Sequence, residues 1–207
     1  MHENACLKLH LELNKLPKRT FADLRDKVPD NGVYFLFEKG EDSHGTERIV
    51  RVGSHTGKGN LAARLCEHVR LNKDRSIFRK HVGRALLGRD NDPYLDIWNL
   101  DFTERNARET CGHLIDRERQ DQIETLVSRY IETRFTVSVL ASGTSTEACK
   151  TEKLLIGTVS SCSTCVPSNE WLGKHAHSRI AESGLWQMQH LYKSGLTESE
   201  VTVLFCN

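Results

Sequence analysis

With 207 residues, 38% of them hydrophobic and 28% charged, the chain has material for one well-filled domain and little for two. A formal net charge of +1 gives no global sign of nucleic-acid binding, although a neutral total is compatible with a basic cleft opposite an acidic face. No apolar run approaches a membrane span, the opening MHENACLKLHLELNK lacks a secretory apolar core, and 7 scattered cysteines suit reduced thiols in a cytoplasm.

Residues before Lys27 read as a short amphipathic lead-in punctuated by Pro17 and Pro29. Over 32–38 the sequence alternates: Val33, Phe35 and Phe37 share one face, Tyr34 and Leu36 the other, which predicts a strand with two different faces. Residues 39–48 are polar, contain Gly40 and Gly45, and read as a long hairpin loop. The β-branched run at 49–52 returns as the partner strand. After SHTGKGN, the stripe Leu61, Leu65 and Val69 predicts a helix over 61–71, and a second helix is expected over 76–87.

From 88 to 134 charge dominates and Pro93 breaks the chain, so this stretch reads as a helical insertion on the core, with one or two helices of weak apolar face over 105–130. A third strand is expected at 135–140. Thr144 and Glu147 have the spacing of a capping box, opening a helix that runs through Val159. The remainder, about 167–207, is a C-terminal extension in which Trp171 and Trp186 read as packing residues.

Glu152 is the sharpest chemical signal. On a helical wheel it lies among Ala148, Leu155 and Val159, with Cys149 and Ile156 alongside. A carboxylate inside an apolar stripe is costly unless a cation, a metal or a buried salt bridge pairs with it. Arg64 and His68, four residues apart, share one side of their helix, where an arginine fork holds phosphate and a histidine moves protons. Taken singly, such a pair is usually a solvated face, and a strand tyrosine such as Tyr34 is usually core. Cys162-x-x-Cys165 with His175 and His177 has the donor types of a zinc set, but the irregular spacing and the lack of a second CxxC argue against it.

Together these residues resemble the GIY-YIG nuclease superfamily. Gly32-Val33-Tyr34 and Arg51-Val52-Gly53 stand where the GIY and YIG halves lie, Arg64 and His68 in LAARLCEHV match the arginine and histidine of the next helix, and Glu152 in TEKLLI matches the metal-binding glutamate. NGVYFLFEKGE, IVRVGSHTG, SIFRKHVG and WLGKHAHSRIAESGLW further resemble bacterial members distantly related to restriction-type enzymes.

The resemblance implies an α/β (α+β) fold, a small three-stranded, mostly antiparallel sheet flanked by helices, with a core at about 30–170 in one domain over 1–207. It implies a DNA endonuclease, restriction-type or else a structure-specific repair or mobile-element nuclease, acting on duplex DNA as a monomer or homodimer. One Mg²⁺ or Mn²⁺ on Glu152 would stabilise the leaving 3′ oxygen, Tyr34 would take the proton of the attacking water directly or through His68, and Arg64 would stabilise charge on phosphorus.

Two departures stand out. Arg51 occupies the place of the second tyrosine, with His55 as the other substitute, and the expected asparagine is represented only by Asn169 or Ser161. The missing tyrosine keeps open a nucleic-acid-binding module without catalysis.

Overall fold

The computed structural model describes residues 2–24 and 28–206. Alternation along β1 (Gly32–Ser43) sets the layering, because its two faces enter two different cores. β1 is the central strand: β2 (Thr46–Gly53) and β3 (Phe135–Ala141) both pair with it antiparallel, in the order β2-β1-β3. Val33, Phe35 and Phe37 meet Ala5, Leu9 and Leu13 of α1 (His2–Lys15). Tyr34 and Leu36 meet the opposite core, with Leu61 and Leu65 of α2 (Leu61–Glu67) and Phe78 and Val82 of α3 (Ile77–Arg89). The sheet is therefore covered by helices on both sides, as the α+β expectation required.

Several boundaries differ from the expectation. The lead-in is a full 14-residue helix, α1. The loop expected at 39–48 is instead strand on both arms, closed by a two-residue turn. His44 (φ 55°) and Gly45 (φ 73°) both adopt the left-handed conformation that a tight antiparallel turn demands. Lys39 and Asp42 are exposed, but Glu38, Glu41 and Arg48 are buried and satisfied. Arg48 donates to Glu41 at 2.6 Å, and Glu38 accepts the indole N–H of both Trp171 and Trp186 at 2.8 Å. A register shift puts Leu36 opposite Arg51 but Phe37 opposite Ile49, leaving Val50 as an extra residue. Helix α2 stops at Glu67, four residues short of the expected end, and His68 caps it.

Within 88–134, α4 (Leu95–Asn99) and α5 (Arg105–Cys111) are short. Trp98 is buried against Gly83, where an added Cβ would come within 2.2 Å of its ring. The 18-residue α6 (Arg117–Arg134) sends Ile123, Val127 and Ile131 into the core shared with Tyr34. The Thr144–Glu147 capping box is present and opens α7 (Ser145–Ser160). Beyond it lie α8 (Ser178–Ser183) and α9 (Glu198–Phe205). Between these two, the chain lies along the outer edge of β2: Trp186 N–H donates to the Val50 carbonyl at 2.7 Å, and Gln187 Oε1 accepts the Val52 N–H at 3.1 Å. That contact satisfies backbone groups an open edge would leave bare.

Candidate active site

Tyr34 rises from β1 directly opposite Gly53, and its ring occupies the space a side chain there would fill. Its Oη lies 2.9 Å from His68 Nε2, and His68 Nδ1 lies 2.7 Å from Ser76 Oγ. Ser76 in turn is the N-cap of α3, accepting the Arg79 N–H at 3.2 Å. A strand, the end of α2 and the start of α3 thus meet in one chain of hydrogen bonds. His68 is wholly buried between the Tyr34 and Phe78 rings. Burial, then the positive charges of Arg51, Arg64 and Arg79, hold its pKa well below the ordinary 6.5. The imidazole is therefore neutral at physiological pH.

Arg51 reaches the same spot from β2, because it pairs with Leu36 in regular register and so shares the sheet face of Tyr34. Its Nε makes a long 3.5 Å contact to Tyr34 Oη, Nη1 donates to the Trp186 carbonyl, and the guanidinium lies 5.3 Å over the Phe78 ring. On its other side Arg51 lines a cavity of about 530 Å³ together with His81, Arg84, Arg179, Gln187 and Glu152. Three arginines and one carboxylate give this cavity a positive field suited to phosphate. Burial and Arg84 push His81 down to about 3, so it too is neutral.

Glu152 lines this cavity and a second one of about 430 Å³, which also carries Ser54, His55, Arg64 and Glu67. The helical-wheel position needs correction here. Ala148, Leu155 and Val159 are buried in the core beneath α7, whereas Glu152 is half-buried beside them and faces the cavities. Its Oε2 accepts from the Ser54 hydroxyl, and among the described residues it forms no ion pair, so the buried-salt-bridge alternative is not realised. Arg64 donates to Glu67 at 3.0 Å and to the Arg75 carbonyl at 3.1 Å, holding it at the cavity wall. His55 is buried, yet among the described residues neither ring nitrogen has a protein partner.

Two candidates are left outside. Asn169 is exposed, accepts from Lys174 at 3.1 Å and lines neither cavity. Ser161 is merely the C-cap of α7. Nor do the two halves of the zinc reading meet: His175 and His177 line a separate cavity with Arg84 and Asn99, while Cys162 and Cys165 sit in the core on the other face of the sheet. Conversely, Ser54, Arg84, Arg179 and Gln187 were not anticipated. Ser54 follows the second motif directly and was within reach of sequence reasoning. The others arrive through α3 and the C-terminal extension, which no local spacing reveals.

The family model for the GIY-YIG domain matches residues 7–201, covering nearly the whole chain and every residue of this site. The chain belongs to the GIY-YIG domain family. No curated protein and no solved structure matches it. Members of the GIY-YIG family are nucleases that act on DNA, and the match supports a nuclease of this superfamily. The match includes the C-terminal residues Arg179 and Gln187. No helix among the described residues is long and apolar enough to cross a membrane.

Proposed function

We propose that this GIY-YIG protein hydrolyses phosphodiester bonds of duplex DNA, using one Mg²⁺ or Mn²⁺ bound at Glu152. The observation that carries the reading is the position of Glu152, a carboxylate with no ion pair among the described residues, which joins two cavities whose walls hold Arg64 on one side and Arg51 on the other. The residues fit a hard cation: a carboxylate, the Ser54 hydroxyl beside it, and open volume for the waters that magnesium retains. When bound, the cation supplies charge stabilisation at the leaving oxygen.

The chain's own groups divide the rest of the work. Arg51 and Arg64 bind the phosphate from two sides, with bidentate forks suited to its oxygens. With His68 Nδ1–H donating to Ser76 Oγ, Tyr34 hydrogen-bonds to His68 Nε2, so that as the phenol oxygen takes the proton of the attacking water its own proton passes to the imidazole. His68, fixed by Ser76 and discouraged from charging, positions that hydroxyl and takes up a proton only as the reaction proceeds. Arg51 links Tyr34 to the cavity, because it touches the hydroxyl on one side and lines the opening on the other.

Nicking of supercoiled plasmid tests the reading: cleavage with Mg²⁺ or Mn²⁺ and none with EDTA is expected. One observation favours a second reading, a DNA-binding module without catalysis. Tyr34 is almost fully buried, and an arginine stands where the family's second tyrosine is expected. In that case DNA is retained in gel shifts while no metal produces nicks.

A further inference from the structure

On the face of the sheet away from Tyr34, three distant segments bring soft metal ligands together. Cys6 and His10 come from α1, His44 from the tip of the β1–β2 hairpin, and Cys162 and Cys165 from the loop after α7. The donor atoms of Cys6, His10, His44 and Cys165 all lie within 4.8 Å of one another. Cys162 Sγ lies 3.6 Å from His44 Nε2, and Cys165 Sγ lies 3.6 Å from His10 Nε2. We propose that Cys6, Cys162, Cys165 and His44 bind a structural zinc ion.

Geometry and donor chemistry both support this. Zinc about 2.3 Å from sulfur and about 2.0 Å from nitrogen places tetrahedral S···N edges near ~3.5 Å, close to the 3.6 Å between Cys162 Sγ and His44 Nε2. Backbone N–H groups of Thr164 and Cys165 point at Cys162 Sγ, an arrangement that favours a thiolate. Soft sulfur and imidazole donors gathered from three segments suit a zinc ion, which takes thiolate and imidazole ligands in tetrahedral sites.

The imidazole is assigned to His44 because His10 is already engaged. His10 Nδ1 lies 2.9 Å from the Cys6 carbonyl, and Nε2 receives the Ile49 N–H at 3.2 Å. Among the described residues, the ring nitrogens of His44 hydrogen-bond only with Cys162. It also occupies a left-handed turn position better suited to Asn, Asp or Gly, so the hairpin gains nothing conformationally from a histidine there. The hairpin tip is docked on the cysteine loop, with Ser43 Oγ donating to the Thr164 carbonyl at 3.3 Å. A zinc here would tie α1, the hairpin and the end of α7 together, in a core where all five side chains lack the oxygen donors magnesium prefers.

Elemental analysis of the full chain, purified from zinc-supplemented medium, should give one zinc per chain, with X-ray absorption showing three sulfurs and one nitrogen. Exchange for Co²⁺ should give thiolate charge-transfer and tetrahedral d–d bands. Cys162→Ser and His44→Ala should each lower the zinc content several-fold, whereas His10→Ala and Glu152→Gln should retain it. Chelation should lower Tm, with recovery on Zn²⁺ but not Mg²⁺. Wild-type protein without zinc, or with a Cys6–Cys162 or Cys6–Cys165 disulfide in its place, would overturn the proposal. Zinc lost from His10→Ala but kept by His44→Ala would overturn the ligand assignment. Because zinc content is read without DNA, failure of this site and failure of the nuclease reading remain separable.

Discussion

Gly53 stands opposite Tyr34 in the antiparallel register, and a Cβ on Gly53 would lie 2.2 Å from the tyrosine ring. The glycine of the second motif is thus required by the tyrosine of the first. Gly53→Ala should force the ring out of place at a cost of about 1–3 kcal/mol, the scale of overpacking in a core. A lowered Tm together with loss of nicking is expected. Unchanged stability and activity would mean that the sheet relaxes without disturbing Tyr34.

Tyr34→Phe keeps the ring and removes only the hydroxyl. His68 Nε2 then loses its partner in the core, a loss worth about 1–3 kcal/mol. Cleavage should stop while duplex affinity is retained, since Tyr34 lines neither cavity. Single-turnover nicking and a parallel gel shift on one preparation measure both. Retained cleavage would remove Tyr34 from the chemistry.

Alternation made β1 and β3 legible from the sequence, and the capping pair Thr144 and Glu147 did the same for α7. The rest depended on partners far along the chain. Glu41 and Arg48 looked like loop residues because charge normally marks solvent, but their ion pair satisfies them inside the fold, as Trp171 and Trp186 satisfy Glu38 at the end of the expected strand. Cys162 and Cys165 suggested nearby histidines, whereas their neighbours are Cys6, His10 and His44, brought in by helix and hairpin packing. Glu152 was found by its position on α7, but a helical wheel does not separate a stripe from its border. One step around the helix moved it from core to cavity.

Glu152→Gln should abolish metal-dependent cleavage and leave stability within about 0.5 kcal/mol, because among the described residues no ion pair is broken and the Ser54 hydrogen bond has a neutral substitute. Calorimetric titration with Mn²⁺ should lose the signal seen with wild type. Near-normal cleavage by the variant would place the cation elsewhere.

Stability should fall on acidification below pH 6.5. His68 and His81 are both held below that value in the folded state, so the unfolded chain binds more protons, and stability rises with pH. The stabilisation is complete above the unfolded value of 6.5 and is lost as pH falls, through about 3 for His81. Each group contributes a slope of up to about 1.4 kcal/mol per pH unit across its window. Glu38, raised by burial above its ordinary 4.5, opposes the trend from that value upward, because there the folded state holds the proton that the unfolded chain has lost. Urea unfolding between pH 7 and pH 4 measures the slope, and His81→Gln should make it shallower.

The two arginines should separate by salt dependence. Arg64→Ala should reduce turnover by roughly 10²-fold, with little recovery in Arg64→Lys, because an ammonium lacks the planar fork. Arg51→Tyr restores the family's usual residue but removes a cation from the larger cavity and leaves the Trp186 carbonyl without its donor. Duplex affinity should fall, and the dependence of log K on log salt should flatten by about one phosphate contact. Titrations of labelled duplex at several salt concentrations, with Ca²⁺ to block cleavage, measure that slope. Identical slopes for wild type and Arg51→Tyr would assign Arg51 to packing against Phe78 and Trp186. His55, at the neighbouring cavity, whose ring nitrogens have no partner among the described residues, would then be the residue to test next.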